Sequence, residues 1–281
     1  AGDFSRPELA RTRSVLAHKR LDDAAPLLPQ LALLRPSIDA AALRQGRIEM
    51  AVMLRAAASH GFNESVDNHF SLALPGRDDL FLLNRWGPHW SEIRPADILL
   101  IDLHGTVVDG EGAWEMSAFM IHRGVHRAHP RARCVLHTHM PHATALSMSV
   151  EGLDTRASQN AMYFHDRIGR VPFGGLADGA EEGDRLGEAV GDDATVVFLD
   201  NHGVIAIGQT PAEAFHRLYM LERACETEIL LRASGLTRIR VAEETAAATA
   251  AQWERDAPDL AATLFAAERR LSEERSPGFL D

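Results

Sequence analysis

Apolar residues follow two spacings along the chain, and each spacing predicts a different kind of element. Apolar positions three and four residues apart predict helices over residues 45–60, 114–128 and 211–234. Short apolar runs that end at turn residues predict strands near residues 69–74, 80–83, 98–103, 133–139, 195–199 and 203–207. Helices interleaved with strands indicate a mixed α/β or α+β fold built on a central sheet.

Both ends of the chain depart from this pattern. Residues 1–43 are punctuated by proline and only weakly periodic, so we expect an N-terminal extension that wraps the domain or a neighbouring subunit. Residues 44–235 carry the strands and the main helices and form the predicted domain. Residues 236–281 are rich in alanine and glutamate, which predicts a C-terminal helical extension packed on the outside.

The composition narrows the classes of function. The chain of 281 residues is 46% hydrophobic and 25% charged, which is typical of a folded globular protein. Its formal charge of −11 argues against a nucleic-acid-binding surface, which would need a basic patch. No apolar run approaches the roughly 20 residues that cross a bilayer, so we expect no membrane partner. Residues 1–20 are polar and basic and lack the apolar core of a secretion signal.

Cysteine and lysine usage inform the compartment and the chemistry. Cys134 and Cys225 fall in a predicted strand and a predicted helix, so we expect buried thiols in a reducing cytoplasm. Lys19 is the single lysine and lies in a peripheral segment. A Schiff-base mechanism needs a lysine inside a pocket, so imine chemistry is not expected.

Three histidines stand at the ends of two predicted strands. His137 and His139 end the apolar run that begins at Arg133, and side chains two apart on a strand share a face. His202 follows a second apolar run, at residues 195–199. Three neutral imidazoles that meet at strand ends would bind a metal ion and leave open positions, which is the catalytic rather than the structural pattern.

Four short motifs share their order and spacing with a known family. They are Asn68-His69-Phe70-Ser71, the stretch from Asn84 to Asp102, Val135-Leu136-His137-Thr138-His139, and Asn201-His202-Gly203-Val204. Together they resemble the class II aldolase/adducin family over roughly residues 45–235. The resemblance implies a three-layer α/β/α fold with a central, mainly antiparallel sheet. It also implies one divalent metal ion per subunit, held by His137, His139 and His202, and a homotetramer with active sites at subunit interfaces.

Three positions depart from the family pattern in a way that changes the expected chemistry. Aldolases of this family carry a glutamate before the His-x-His strand as general acid/base, and Ala118 stands at that position. Trp86 and Met116 occupy places where small or hydroxyl-bearing residues serve the sugar-phosphate aldolases. Neither side chain can bind a phosphate as Ser or Thr does. Sugar-phosphate cleavage by the usual route is therefore not expected.

The favoured function is that of a metal-dependent carbon–carbon lyase. Three neutral histidines leave the charge of a divalent ion uncompensated, so the fitting substrate is a small anionic molecule, aliphatic or aromatic, whose carboxylate chelates the metal. We expect decarboxylation or retro-aldol cleavage. Imidazole suits zinc, manganese and iron alike, so the ion is one of these three.

Proton transfer would need a substitute for the absent glutamate. His122 follows Ala118 by one helical turn on the same face, and Tyr163 and His165 come from another segment. These three are the candidate catalytic residues. The candidate substrate contacts are Asn68, His69, Trp86, Ser117 and Arg167, the last as a bidentate partner for a second carboxylate.

Two other functions stay open. The same three-histidine set would suit Fe(II) in a non-haem oxygenase, with room for O₂ and a chelating keto acid. The adducin branch keeps the fold without the aldolase chemistry, so a non-catalytic assembly domain is the second alternative. The plain alternative for the three histidines is a structural role, with hydrogen bonds to the backbone. His126 and His129 are expected to be partly exposed on their helix.

Overall fold

The computed structural model describes residues 38–175, 180–191 and 193–280. The predicted N-terminal extension therefore lies almost entirely outside the described residues. The described part contains an eight-stranded sheet with helices packed on both faces, which confirms the predicted three-layer α/β/α arrangement.

The sheet is mixed but mainly antiparallel, as expected. Its strands lie in the order β4-β3-β2-β1-β5-β8-β7-β6, and only the edge pair β6–β7 is parallel. The strands are β1 His69–Ala73, β2 Leu80–Asn84, β3 Ile98–Asp102, β4 Val107–Asp109, β5 Cys134–Thr138, β6 Ile168–Val171, β7 Val196–Leu199 and β8 Gly203–Gly208. The strand that carries the His-Thr-His motif therefore lies near the middle of the sheet, between β1 and β8.

Seven helices surround the sheet in the described residues. They are α1 Ala40–Ser59, α2 Met116–Ala128, α3 Pro141–Ser147, α4 Gln159–Met162, α5 Ala180–Ala189, α6 Pro211–Ser234 and α7 Glu243–Arg275. α7 packs against α6 and α1 on the outside of the domain. Of the helices described, none combines the length and the apolar character needed to cross a membrane.

Alternate residues of β5 face two different cores. Leu136 belongs to the larger core, which α1 and α6 cover. Val135 packs on the other face with Ile121 of α2 and Leu186 of α5. Since side chains alternate along a strand, His137 lies on the same face as Val135 and thus beneath α2.

Three glycines let α2 and α5 cross at close range. A Cβ atom added to Gly124 would lie 1.9 Å from the carbonyl oxygen of Gly183. One added to Gly183 would lie 2.3 Å from the carbonyl oxygen of Met120, and one added to Gly187 would lie 2.4 Å from that of Gly124. Only residues without a side chain permit this approach. The crossing holds α2 in place over the face of the sheet that carries His137.

Helix α6 begins and ends where the sequence predicts, whereas α1 begins at Ala40, five residues before its predicted start. Thr210 caps α6, because its side chain accepts a hydrogen bond from the backbone N–H of Glu213, and Pro211 occupies the first helical position. Gly235 ends the helix with a φ of 69°. The alanine- and glutamate-rich tail forms one helix of 33 residues, which continues through Pro258.

Candidate metal centre

The three predicted ligands meet at the ends of neighbouring strands in the middle of the sheet. His137 lies in β5, His139 follows the end of that strand, and His202 lies in the turn between β7 and β8. Because β5 pairs with β8, the chain end of β5 lies beside this turn. Nitrogen atoms of all three rings lie within 4.8 Å of one another, and Nε2 of His137 is 3.2 Å from Nε2 of His139.

Asn201 and Gly203, on either side of His202, allow a tight backbone turn at this ligand. Asn201 adopts a left-handed φ of 56°, which Asn tolerates better than most residues. A Cβ atom on Gly203 would lie 2.5 Å from the carbonyl oxygen of Thr138 and 2.8 Å from the His139 ring. The Asn-His-Gly motif therefore provides a tight turn and the close approach that brings His202 to the other two histidines.

A backbone contact orients one of the ligands. Nδ1 of His137 lies 3.0 Å from the carbonyl oxygen of Val204, which can only accept a hydrogen bond. Nδ1 must therefore carry the ring proton, and Nε2 keeps its lone pair for an ion. Such contacts to the second ring nitrogen are typical of metal-binding histidines.

The electrostatics keep all three rings neutral. Burial lowers the pKa of His137 well below its usual value and lowers that of His139. Burial and the neighbouring His139 lower the pKa of His202 to about 4. Neutral imidazoles offer lone pairs at pH 7 without the need to release a proton. The donor set thus fits a divalent ion that accepts nitrogen ligands.

A cavity of about 200 Å³ opens beside the three histidines. Its other wall residues are Asp67, Asn68, His69, Asn84, Trp86, Glu115, Ser117 and Ala118. Four of the five predicted substrate contacts thus surround the same space: Asn68, His69, Trp86 and Ser117. No lysine or arginine is among the described residues of this wall, so an anionic group in the cavity would depend on the ion for its charge balance.

Asn68 presents an unused hydrogen-bond donor to this region. Its φ is 70°, and its side-chain oxygen accepts hydrogen bonds from the backbone N–H of Glu64 (3.0 Å) and of His139 (3.4 Å). The side-chain nitrogen Nδ2 is buried and has no hydrogen-bond partner among the described residues. A buried donor without a partner is costly, so this amide is suited to hold an oxygen atom of a ligand.

Glu115 is a wall residue that sequence reasoning missed. It caps α2, with its carboxylate accepting hydrogen bonds from the backbone N–H of Ser117 (3.0 Å) and Ala118 (2.8 Å), and from the Ser117 hydroxyl. Ala118 does line the cavity, where the family pattern has a glutamate. A carboxylate is present all the same, three residues earlier. The preference of Asp over Glu as a helix cap hid this signal.

A chain of hydrogen bonds runs from the cavity wall along α2 to the backbone just beyond the C-terminal end of that helix. Nδ1 of His69 lies 2.8 Å from Nε2 of His122, whose Nδ1 contacts the Ser71 hydroxyl. The same hydroxyl lies 2.7 Å from Nε2 of His126, and Nδ1 of His126 lies 2.7 Å from the carbonyl oxygen of Ala132. We call this set the histidine chain. It places His122 behind His69. His126 is partly exposed, as expected, and both of its ring nitrogens have partners. His129, also expected to be partly exposed, is instead buried, and its Nε2 contacts the carbonyl oxygen of Gly191.

The remaining predicted residues lie away from this cavity and contact α7. Nε2 of His165 lies 2.9 Å from a carboxylate oxygen of Glu243, and its Nδ1 lies 2.9 Å from the Thr155 hydroxyl. Tyr163 stacks on Trp253 with ring centroids 5.0 Å apart. Arg167 pairs with Glu254 at 3.4 Å. Within one chain, the predicted roles of Tyr163, His165 and Arg167 in the cavity are therefore not supported. Their pairing with residues some 80 positions onward could not be read from local sequence.

A second group of possible ligands lies at this other location. His165, Asp166 and Glu243 have ligand atoms within 4.8 Å of one another. Both carboxylates are exposed, and His165 already hydrogen-bonds to Glu243. The contact between His165 and Glu243 attaches the start of α7 to the domain, which explains why these three residues lie together.

Comparison with known proteins identifies the family. The family described as "Class II Aldolase and Adducin N-terminal domain" matches residues 48–229. A protein of Caulobacter vibrioides, named for aldolase class 2, is 30% identical over 72% of this chain and 78% of its own length. Human beta-adducin is 28% identical over 70% of this chain, but the match covers only 28% of the adducin.

Solved structures share the architecture. The crystal structure of an aldolase II superfamily protein from Pseudomonas syringae superposes with a TM-score of 0.80 and 27% sequence identity. The superposition covers 88% of this chain and 99% of that protein. The similarity therefore extends beyond the region that contains the three histidines.

Proposed function

Because the chain belongs to the class II aldolase and adducin family, we propose that it is a carbon–carbon lyase that uses a divalent metal ion. The observation that carries this proposal is the set of three neutral histidines, His137, His139 and His202, in the wall of a cavity. When bound there, zinc, manganese or iron would supply a Lewis acid that stabilises negative charge developing on a substrate oxygen.

The substrate class follows from the charges of the wall. The cavity is lined by Asp67 and Glu115 and by no described lysine or arginine. These two carboxylates would repel a phosphate group. The Ser117 hydroxyl, a predicted substrate contact, already donates a hydrogen bond to Glu115. A small carboxylate that chelates the ion, such as a 2-oxo acid, suits this site better than a sugar phosphate. The proposed reactions are retro-aldol cleavage and decarboxylation.

Other residues of the wall would position such a substrate. The unpartnered amide nitrogen of Asn68 would donate to a substrate oxygen. Trp86 would bound the cavity with an apolar surface. His69 and, behind it, His122 are the other imidazoles next to the proposed ligands, with His69 stacked on His137.

The proposed assembly is a homotetramer. Three large apolar side chains lie exposed: Met148, Val150 and Phe173 are 59%, 94% and 53% exposed. The ring of Phe173 lies 6.4 Å from that of His202. An exposed apolar surface beside the site is typical of a subunit interface. Light scattering should give a mass four times that of the 30.8 kDa chain.

Turnover by the metal-loaded protein tests the proposed reaction. The protein, depleted of metal and reloaded with Zn(II), Mn(II) or Fe(II), would be incubated anaerobically with a panel of 2-oxo and hydroxy acids. Release of an aldehyde or CO₂ by the wild type and by the exposed-site control His104→Ala, but not by His202→Ala, is the expected result. Turnover only with Fe(II) and O₂ would instead identify an oxygenase.

A non-catalytic assembly role is the second candidate, and the similarity to beta-adducin favours it. It predicts that the purified protein takes up no stoichiometric metal and cleaves no member of the panel. Metal uptake at one ion per chain that His202→Ala abolishes would argue against this role, because an assembly domain has no need of three neutral ligands around one cavity.

A further inference from the structure

We infer that the histidine chain sets His69 as a hydrogen-bond acceptor in the cavity wall, and that the substrate is a 2-oxo acid bearing a hydroxyl group that donates to it. Only the choice of a 2-oxo acid as substrate rests on the proposed function. The assignment of donors and acceptors along the histidine chain follows from the geometry of its contacts.

The contact between His126 and the Ala132 carbonyl oxygen fixes which atoms donate along the histidine chain. The carbonyl oxygen of Ala132 can only accept, so Nδ1 of His126 carries the proton of the 2.7 Å contact. Burial lowers the pKa of His126 to about 4, so this ring is neutral and has one proton. Its Nε2 must then accept, and the Ser71 hydroxyl must donate its single proton to His126 across 2.7 Å.

The remaining contacts follow in turn. Having given its proton to His126, the Ser71 oxygen can only accept, so Nδ1 of His122 donates to it. Nε2 of His122 then accepts from Nδ1 of His69 across 2.8 Å. Four contacts thus use four protons, one from each ring and one from the hydroxyl. A further proton on either inner ring would face a nitrogen or a hydroxyl that already donates toward it.

These assignments also fix which ring nitrogen of His69 carries its proton. Its proton is on Nδ1, so Nε2 holds a lone pair, and His69 is one of the wall residues of the cavity. The ring lies against that of the proposed ligand His137, with centroids 4.8 Å apart. An acceptor therefore stands next to the ion position, in the same wall as the unpartnered donor Nδ2 of Asn68.

This pair of groups selects among the proposed substrates. A 2-oxo acid bound through its carboxylate and oxo oxygens has acceptors only, which suits Asn68 but leaves His69 without a partner. A retro-aldol substrate of this class also carries a hydroxyl group on C4, and that group can donate to His69. Decarboxylation requires no such hydroxyl. The wall therefore favours a 4-hydroxy-2-oxo acid.

Calorimetric binding to the metal-loaded protein tests the inference. The ligands are 2-oxobutanoate and 4-hydroxy-2-oxobutanoate, titrated at low temperature, with ligand integrity checked by proton NMR. One neutral hydrogen bond predicts that the wild type binds the hydroxylated ligand about 3- to 10-fold more tightly. His69→Asn keeps a donor toward His122, but its amide oxygen lies near the position of Cδ2 and leaves the position of Nε2 empty, so it should abolish this preference while retaining metal. His104→Asn, the same exchange at an exposed site, should keep it.

The possible results distinguish failure of this inference from failure of the proposed function. An equal preference in His69→Asn and wild type would overturn the inference and leave the proposed function in place. If neither oxo acid binds to the metal-loaded wild type, the proposed function fails. Nitrogen-15 NMR then still reads the ring of His69 in the metal-loaded protein. A proton on Nδ1 supports the ordered chain, and a proton on Nε2 overturns it.

Discussion

His69 and His137 stack across β1 and β5, with ring centroids 4.8 Å apart and ring planes inclined by 30°. The first ring belongs to the histidine chain, and the second belongs to the proposed ligand set. The stacking is possible because the two residues are direct partners in the antiparallel ladder. It joins a buried polar network to the metal centre, and both can be tested separately.

Ser71→Ala should destabilise the protein by removing the centre of the histidine chain. The substitution leaves Nδ1 of the buried His122 and Nε2 of the partly buried His126 without partners, which costs about 1–3 kcal/mol in the free energy of unfolding. Urea unfolding of the metal-free protein measures it. The matched control is Ser147→Ala, because that buried hydroxyl donates only to the Thr144 carbonyl oxygen of its own helix. Equal losses in the two variants would contradict the network.

Gly124→Ala should be strongly destabilising. The added methyl group would lie 1.9 Å from the Gly183 carbonyl oxygen, so the backbones of α2 and α5 must move apart. Overpacking against backbone predicts a loss of about 3 kcal/mol or more. Gly46→Ala is the control, because its methyl group would lie 2.7 Å from the end of the Leu82 side chain and not from backbone. Its helix propensity gain of about 1 kcal/mol should offset most of that contact. The difference would be read from thermal or urea unfolding.

His216 should contribute to acid sensitivity independently of the metal centre. Burial, with the nearby Arg217, lowers its pKa to about 4, whereas the unfolded chain has the usual value of 6.5. Between these values the unfolded state binds the extra proton, so the contribution of His216 to stability is present above pH 6.5 and is lost as the pH falls toward 4. His216→Phe should therefore flatten the decline of the unfolding free energy over this interval. An unchanged slope would show that folding does not lower the pKa of His216.

Metal should stabilise the folded protein through the three histidines. An ion at one hundred times its dissociation constant would add about 2.7 kcal/mol to the free energy of unfolding, since the unfolded chain holds no preformed site. We expect the melting temperature of the chelator-treated protein to rise on addition of Zn(II) or Mn(II), and this rise to vanish in His139→Ala. His104→Ala provides the comparison, because His104 is exposed and outside the cavity. A full rise in His139→Ala would place the ion elsewhere.

Much of the fold was readable from local pattern. The helical spacing before Gly61 and the cap at Thr210 appear as helices α1 and α6, and the apolar run ending at His137 appears as β5. These features depend on neighbours within a few residues, which the sequence displays directly. β4 was not predicted, because three residues at a sheet edge carry too little periodicity.

The sequence by itself determined the local elements and the three histidines, because a two-residue spacing on a strand and a tight Asn-His-Gly turn specify where those rings point. Only the tertiary structure decided the neighbours of the site. It brought Glu115 into the wall, buried His129, and attached Tyr163 and His165 to α7. Each of these depends on contacts between residues far apart in sequence, made when strands pair and helices pack.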